Sequence, residues 1–179
     1  MPMHAEQFYH IYNRGNNKQR IFFNKKHYYF FMEKIKQFIR PHNFLLAYCL
    51  MPNHFHILIY TRASYKEDKF KNDFRTMLSS YTRAINLDMN RTGSLFQQNT
   101  KFKLIDPQDN FDPLICFNYI HLNPKRAFLV EHLKDWPYSS YPLYTQEKES
   151  KNVDTNFAKF ILDLPEEPSF IETMTEDMA

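Results

Sequence analysis

Hydrophobic positions along the chain fall into alternating strand-like and helix-like runs. Phe8-Tyr9-His10-Ile11-Tyr12 is aromatic and β-branched, and Asn13-Arg14-Gly15-Asn16-Asn17 follows with turn chemistry, so the pair predicts a strand entering a polar loop. Over 25–39, Tyr28, Phe31, Met32, Ile35, Phe38 and Ile39 recur at helical spacing, with Asn24 as cap and Pro41 beyond the end. The stretch 44–50 is apolar throughout, as in a strand covered on both faces. Met51-Pro52-Asn53 breaks it, and a β-rich run resumes over 54–60. These two strands read as a tight antiparallel hairpin in the middle of a sheet. Phe70, Phe74, Met77, Leu78, Tyr81 and Ile85 predict a second amphipathic helix ending near Asn90. A short strand is expected over 101–105. A helix starts at Asp112-Pro113, a cap followed by proline in the first turn. Pro124 is expected to end that helix near Leu122, leaving Asn123 outside helical geometry or at its last position.

The order strand, helix, strand, strand, helix, strand, helix predicts an α+β fold. We expect a ferredoxin-like antiparallel sheet with helices mainly on one face. One core domain over 1–145 and an acidic C-terminal extension over 146–179 are expected, the extension covering a basic groove, docking on the sheet edge or hanging free.

Composition sharpens this only where it is uneven. The formal net charge of +3 hides a division: 146–179 carry nine acidic and three basic residues, and 1–145 carry 20 basic and 11 acidic ones. A basic body suits a polyanionic partner, although many unrelated proteins are equally basic. No apolar run approaches the ~18 residues of a membrane span, so no membrane partner is expected. The start of the chain lacks a signal-peptide pattern. Cys49 and Cys116 lie in apolar runs without CxxC spacing, which reads as buried thiols in a reducing compartment, with the cytoplasm as default address.

Three groups carry candidate chemistry. His54 and His56, two apart on a strand, share a face and are close enough to share one divalent ion, with Phe55 and Ile57 turned into the core. Spacing alone is a weak signal, and by itself it favours surface or hydrogen-bonded histidines over a metal pair. In Asn118-Tyr119-Ile120-His121-Leu122-Asn123-Pro124, Tyr119 and Asn123 share a helix face. A tyrosine hydroxyl can attack a phosphodiester and conserve the bond energy in a phosphotyrosine. Its pKa near 10 calls for a nearby cation. The Asn123 amide oxygen is a suitable hard ligand for Mg²⁺ or Mn²⁺ beside the two histidines. The same pattern also fits a core tyrosine. Finally, Arg14, Lys18, Arg20, Lys25 and Lys26 surround the first loop, while Lys101, Lys103, Lys125 and Arg126 flank later elements. With interleaved aromatics they suit a single-strand groove, or simply a solvated surface.

Together these residues resemble the HUH single-strand-DNA transposases, in particular the REP-associated tyrosine transposase branch. The matching segments are Tyr9-His10-Ile11-Tyr12-Asn13-Arg14-Gly15-Asn16-Asn17, Ala47-Tyr48-Cys49-Leu50-Met51-Pro52-Asn53-His54-Phe55-His56, Gly93-Ser94-Leu95-Phe96-Gln97, Tyr119-Ile120-His121-Leu122-Asn123-Pro124-Lys125-Arg126-Ala127 and Ser139-Ser140-Tyr141. They occur in family order over roughly 7–144.

The resemblance implies a metal pair at His54 and His56, a sole nucleophile at Tyr119 and a polar third ligand at Asn123. It implies attack beside a DNA hairpin, a covalent 5′-phosphotyrosine link and release of a 3′-hydroxyl. Arg14, Asn16, Lys101, Lys103, Lys125 and Arg126 are the expected DNA contacts. The resemblance leaves monomer and homodimer open, since mobile-element relatives work as dimers. The alternative is a hairpin-binding module, non-catalytic or domesticated. Departures occur at Gln98-Asn99-Thr100-Lys101-Phe102-Lys103, where relatives often carry Gly-Arg-Phe-Lys, at Lys125, where Val is common, and at Pro137-Tyr138.

Overall fold

The computed structural model describes residues 2–108, 110–145 and 152–165. Its main elements are β1 (Phe8–Arg14), α1 (Lys25–Phe38), β2 (Asn43–Met51), β3 (His54–Thr61), α2 (Glu67–Asp88), β4 (Lys101–Ile105) and α3 (Pro113–Arg126), followed by short helices α4 (Tyr141–Thr145) and α5 (Thr155–Ile161). The four strands form one sheet in the order β2-β3-β1-β4, every neighbouring pair antiparallel. This is the ferredoxin-like α+β arrangement expected from the element order.

The period of two along the strands sorts the side chains. On one face Phe55 meets Phe31 of α1, and Phe102 meets Phe74 of α2, all within an aromatic core that includes the fully buried Phe70 and Tyr81. The two long helices therefore share this face. On the other face β3 presents His54 and His56, and β1 presents His10, Tyr12 and Arg14 in register with them. Helix α3 packs across that second face against β2 and β3. Asn24 caps α1 by accepting from the His27 N–H, and Asp112 caps α3 by accepting from the Ile115 N–H at 2.8 Å.

Three sequence expectations need correction. β1 runs on to Arg14, because Arg14 still pairs with His54 of β3 and the turn starts at Gly15. The β2–β3 hairpin is not in the middle of the sheet, since β2 is an edge strand. Its apolar sequence is explained by what covers that edge. The Leu50 N–H donates to the Tyr138 carbonyl at 2.8 Å, and the Tyr48 N–H donates to Ser140 Oγ at 2.9 Å. Further along, the Leu45 N–H donates to Asp154 Oδ2 at 2.9 Å. Asp154 also pairs with Arg40 at 2.9 Å, and Phe157 stacks on Phe44. Where the acidic extension is described, over 152–165, it docks on the sheet edge; its segments 146–151 and 166–179 lie outside the described residues.

The third correction is that α3 continues through Pro124 to Arg126, keeping Asn123 helical. Proline cannot donate to the carbonyl four residues back, that of Ile120. The Asn123 side chain takes over: its Nδ2 donates to the Tyr119 carbonyl at 2.7 Å and reaches the Ile120 carbonyl at 3.4 Å. The amide beside the proline thus repairs the turn that the proline would open.

Candidate active site

The site forms where the central strands β1 and β3 face α3. The His54 and His56 rings lie edge to face, their centroids 5.0 Å apart. Tyr119 descends from α3 onto them, its ring 5.5 Å from that of His56 and 84° to it. Asn123, one turn along, lies close enough to bear on the titration of both His54 and the Tyr119 phenol. The four residues expected to meet do meet, at a half-buried point on the face opposite α1 and α2.

Hydrogen bonds set the state of each group. Asn53 Nδ2 donates to the Lys18 carbonyl, which turns its Oδ1 towards His54 Nδ1 at 2.6 Å. An oxygen there accepts, so His54 carries its proton on Nδ1 and keeps a lone pair on Nε2. His56 Nδ1 lies 2.9 Å from His10 Nε2, with the two rings stacked. Burial lowers His54 to about 4, helped by the Arg14 charge and opposed by Asn123. Burial also lowers His56 well below its ordinary value, with His10, His54 and Arg14 adding to the effect. Both imidazoles are therefore neutral at neutral pH, the form that binds metals. Burial raises the Tyr119 phenol, while the Arg126 charge and the contact with Asn123 pull it down.

The donor set can be tested against a divalent cation on these facts. Asn123 Nδ2 is committed to main-chain carbonyls, so its oxygen is the atom left to face His54, whose Nε2 is an acceptor too. Two acceptors turned towards one another suit a cation between them. The Nδ1 atoms of the two histidines are each held by a neighbour, the outer support that metal-binding imidazoles require. Among the described residues no group of three or more His, Cys, Asp or Glu could hold a metal. Two imidazoles and one amide oxygen, with positions open to solvent or phosphate, are what these residues could offer Mg²⁺ or Mn²⁺.

The expected basic residues divide. Arg14 is exposed beside His54, and its charge reaches both histidines. Lys101 and Lys103 are exposed on the same sheet face, in register with Tyr12 and His10, and Lys103 lies 4.6 Å over the Phe111 ring. Lys125 and Arg126 occupy the last turn of α3, with Arg126 6.0 Å over the Tyr119 ring. Asn16 differs: its N–H donates to the Leu95 carbonyl at 3.0 Å and its amide to Ser94 at 3.4 Å, which ties it to the neighbouring loop.

Sequence reasoning missed His10 and Tyr12. Both sit in the aromatic run of β1, where nothing separates them from core residues until strand register is known. Register puts Tyr12 opposite His56, their rings 5.8 Å apart, and puts His10 one pair further on. His10 is 4% exposed, with a ring 6.0 Å from Tyr119.

A sequence comparison gives 28% identity over 105 residues to a protein of Haemophilus influenzae named as a REP-associated tyrosine transposase, covering 54% of this chain and 57% of that relative. The match thus spans little more than half of the relative's length. A solved structure of a REP-associated tyrosine transposase bound to a REP hairpin superposes with a TM-score of 0.63, at 17% identity, over 86% of this chain and 91% of that one. The chain resembles the REP-associated tyrosine transposases in sequence and in fold. No protein-family model matches it. The likeness to the REP-associated family agrees with the motifs: His54, His56, Tyr119 and Asn123, drawn from two distant segments, converge on one point. Both expected thiols, Cys49 and Cys116, are buried and unpaired. No helix among the described residues is long and apolar enough to cross a membrane.

Proposed function

We propose that this chain is a metal-dependent single-strand DNA endonuclease and strand transferase acting beside DNA hairpins, with Tyr119 as the nucleophile. The observation that carries this reading is the meeting of one phenol with two neutral imidazoles and an amide oxygen on a basic face. A structural core tyrosine would need none of these neighbours.

Arg14, Lys101, Lys103 and Arg126 attract the strand to this face and hold phosphates near it. Tyr119 then attacks the scissile phosphorus: its oxygen forms the new bond to phosphorus, the bond to the 3′ oxygen breaks, and the phenol proton is lost as the freed 3′ oxygen gains one. The product is a 5′-phosphotyrosine and a 3′-hydroxyl, and attack by a 3′-hydroxyl on that linkage reverses the step at a new junction. A divalent cation bound by His54, His56 and Asn123 would withdraw charge from the phosphate and favour the phenolate. Arg126 and Asn123 act on the phenol in the same direction, against the cost of burial.

Incubation of the full chain with hairpin-bearing single strands and Mn²⁺ is expected to give a denaturant-resistant protein–DNA adduct and an equal amount of free 3′ end. Chelation and His56→Ala should abolish both. Binding of the hairpin without any cleavage would favour the rival reading of a non-catalytic binding module.

A further inference from the structure

Phe128 combines two unfavourable features that nothing among the described residues offsets. It follows the last turn of α3 in left-handed backbone geometry, with φ of 55°. There its N–H donates to the Lys125 carbonyl at 2.9 Å, and the next N–H, of Leu129, donates to the Pro124 carbonyl at 3.0 Å. That closing turn favours glycine, because a Cβ meets the carbonyl in left-handed geometry. Yet the residue is phenylalanine, and it is 95% exposed. A lone exposed apolar side chain is ordinary, but a bulky one on a strained backbone points to a contact outside the chain.

Its surroundings specify the contact. Phe128 lies two residues past Arg126, the cation over the Tyr119 ring, and three past Lys125, also exposed. It lies nine positions past Tyr119, a rise of roughly 13 Å in a helix. That corresponds to at most about four nucleotides of stacked strand. Cations that hold phosphates, beside an aromatic face open to solvent, form the elements of a single-strand platform. A contact between two copies of the chain would need a broad apolar patch, whereas among the described residues Leu129 is the one large apolar sequence neighbour that is exposed, and basic residues precede it.

We propose that Phe128 is a stacking platform for an unpaired nucleobase in the strand that flanks the reacting phosphate. This rests on the single-strand reading above and adds a residue that the motifs do not single out.

The test uses the full chain in a Tyr119→Phe background, so that binding is read without strand transfer. The probes are a blunt DNA hairpin and the same hairpin with a single-stranded flank carrying 2-aminopurine at successive positions. The parent chain should bind the flanked hairpin more tightly and change the 2-aminopurine emission at one flank position. Phe128→Ala and Phe128→Gly should lose that signal and bind the flanked hairpin about five- to a hundredfold more weakly, with blunt-hairpin affinity unchanged, and Phe128→Trp should retain it. Phe128→Gly should also melt at a higher temperature than the parent, since glycine relieves the backbone. Weaker binding with greater stability is a pairing that a merely structural role would not give. Equal binding and emission in all variants, an equal loss on both hairpins, or a change in sedimentation confined to the Phe128 variants would overturn the proposal. A parent chain that binds neither hairpin would overturn the underlying reading as well, which separates the two failures.

Discussion

Replacement of His10 by Phe removes one atom of consequence while keeping a ring in the same stack. His10 Nε2 lies 2.9 Å from His56 Nδ1, in a pocket where His10 is 4% and His56 7% exposed. For His56 to offer its outer nitrogen to a cation, Nδ1 must carry the proton and His10 must accept it. Without that acceptor there are two outcomes. Either the Nδ1–H stays buried and unpaired, at about 1–3 kcal/mol, or the proton moves to Nε2 and occupies the lone pair. Both set a penalty on cation binding of the same size as the ten- to hundredfold loss found when an outer partner of a metal-bound histidine is removed. By the affinity relation that loss is about 1.4–2.8 kcal/mol, so the two routes agree. Titration calorimetry with Mn²⁺ should show His10→Phe binding about ten- to a hundredfold more weakly than the parent, and His10→Gln, whose amide oxygen can accept, recovering much of the difference. Unchanged Mn²⁺ affinity in His10→Phe, with the fold intact by circular dichroism, would refute the reasoning about the tautomer.

Other expectations follow from the same contacts. Asn123→Ala should lower unfolding free energy by about 1–2 kcal/mol in urea melts, because carbonyls of α3 lose the Nδ2 donor that compensates for Pro124, and it should weaken Mn²⁺ binding; unchanged stability would contradict the helix-repair role. His121 is 1% exposed and burial lowers it to about 3. Between that value and about 6.5 the unfolded chain holds a proton that the native chain lacks, so stability is lost as pH falls through 6.5, by about 2 kcal/mol at pH 5 from this residue. Denaturant melts at pH 7 and pH 5 should show His121→Gln losing correspondingly less than the parent. His10, lowered to about 4, acts with the same sign, so the parent should be visibly acid-sensitive.

Much of this architecture was legible in the chain because periodicity and caps point the same way. Asn24 and Asp112 cap the helices they were expected to cap, and Tyr28 and Phe31 of α1 and Phe70, Phe74 and Tyr81 of α2 are buried in the core as their spacing predicts. The misreadings of β1 and β2 share a physical cause: each depended on a partner distant in sequence. An apolar strand such as β2 looks central until Tyr138, Ser140 and Asp154 are seen along its edge. Pro124 looks like a helix stop until the Asn123 amide is seen to serve the carbonyls behind it. In the site, His54 and His56 were visible because strand spacing is local, and Tyr119 with Asn123 because helix spacing is local. His10 was invisible because only the β1–β3 register brings it to His56.

That register also supplies a rival within the same pocket: Tyr12 lies 5.8 Å from the His56 ring, against 5.5 Å for Tyr119. Tandem mass spectrometry of the protease-digested protein–DNA adduct therefore tests the account most directly. The nucleotide mass should sit on Tyr119 alone, whereas a nucleotide on Tyr12, or on any other residue, would contradict the central claim.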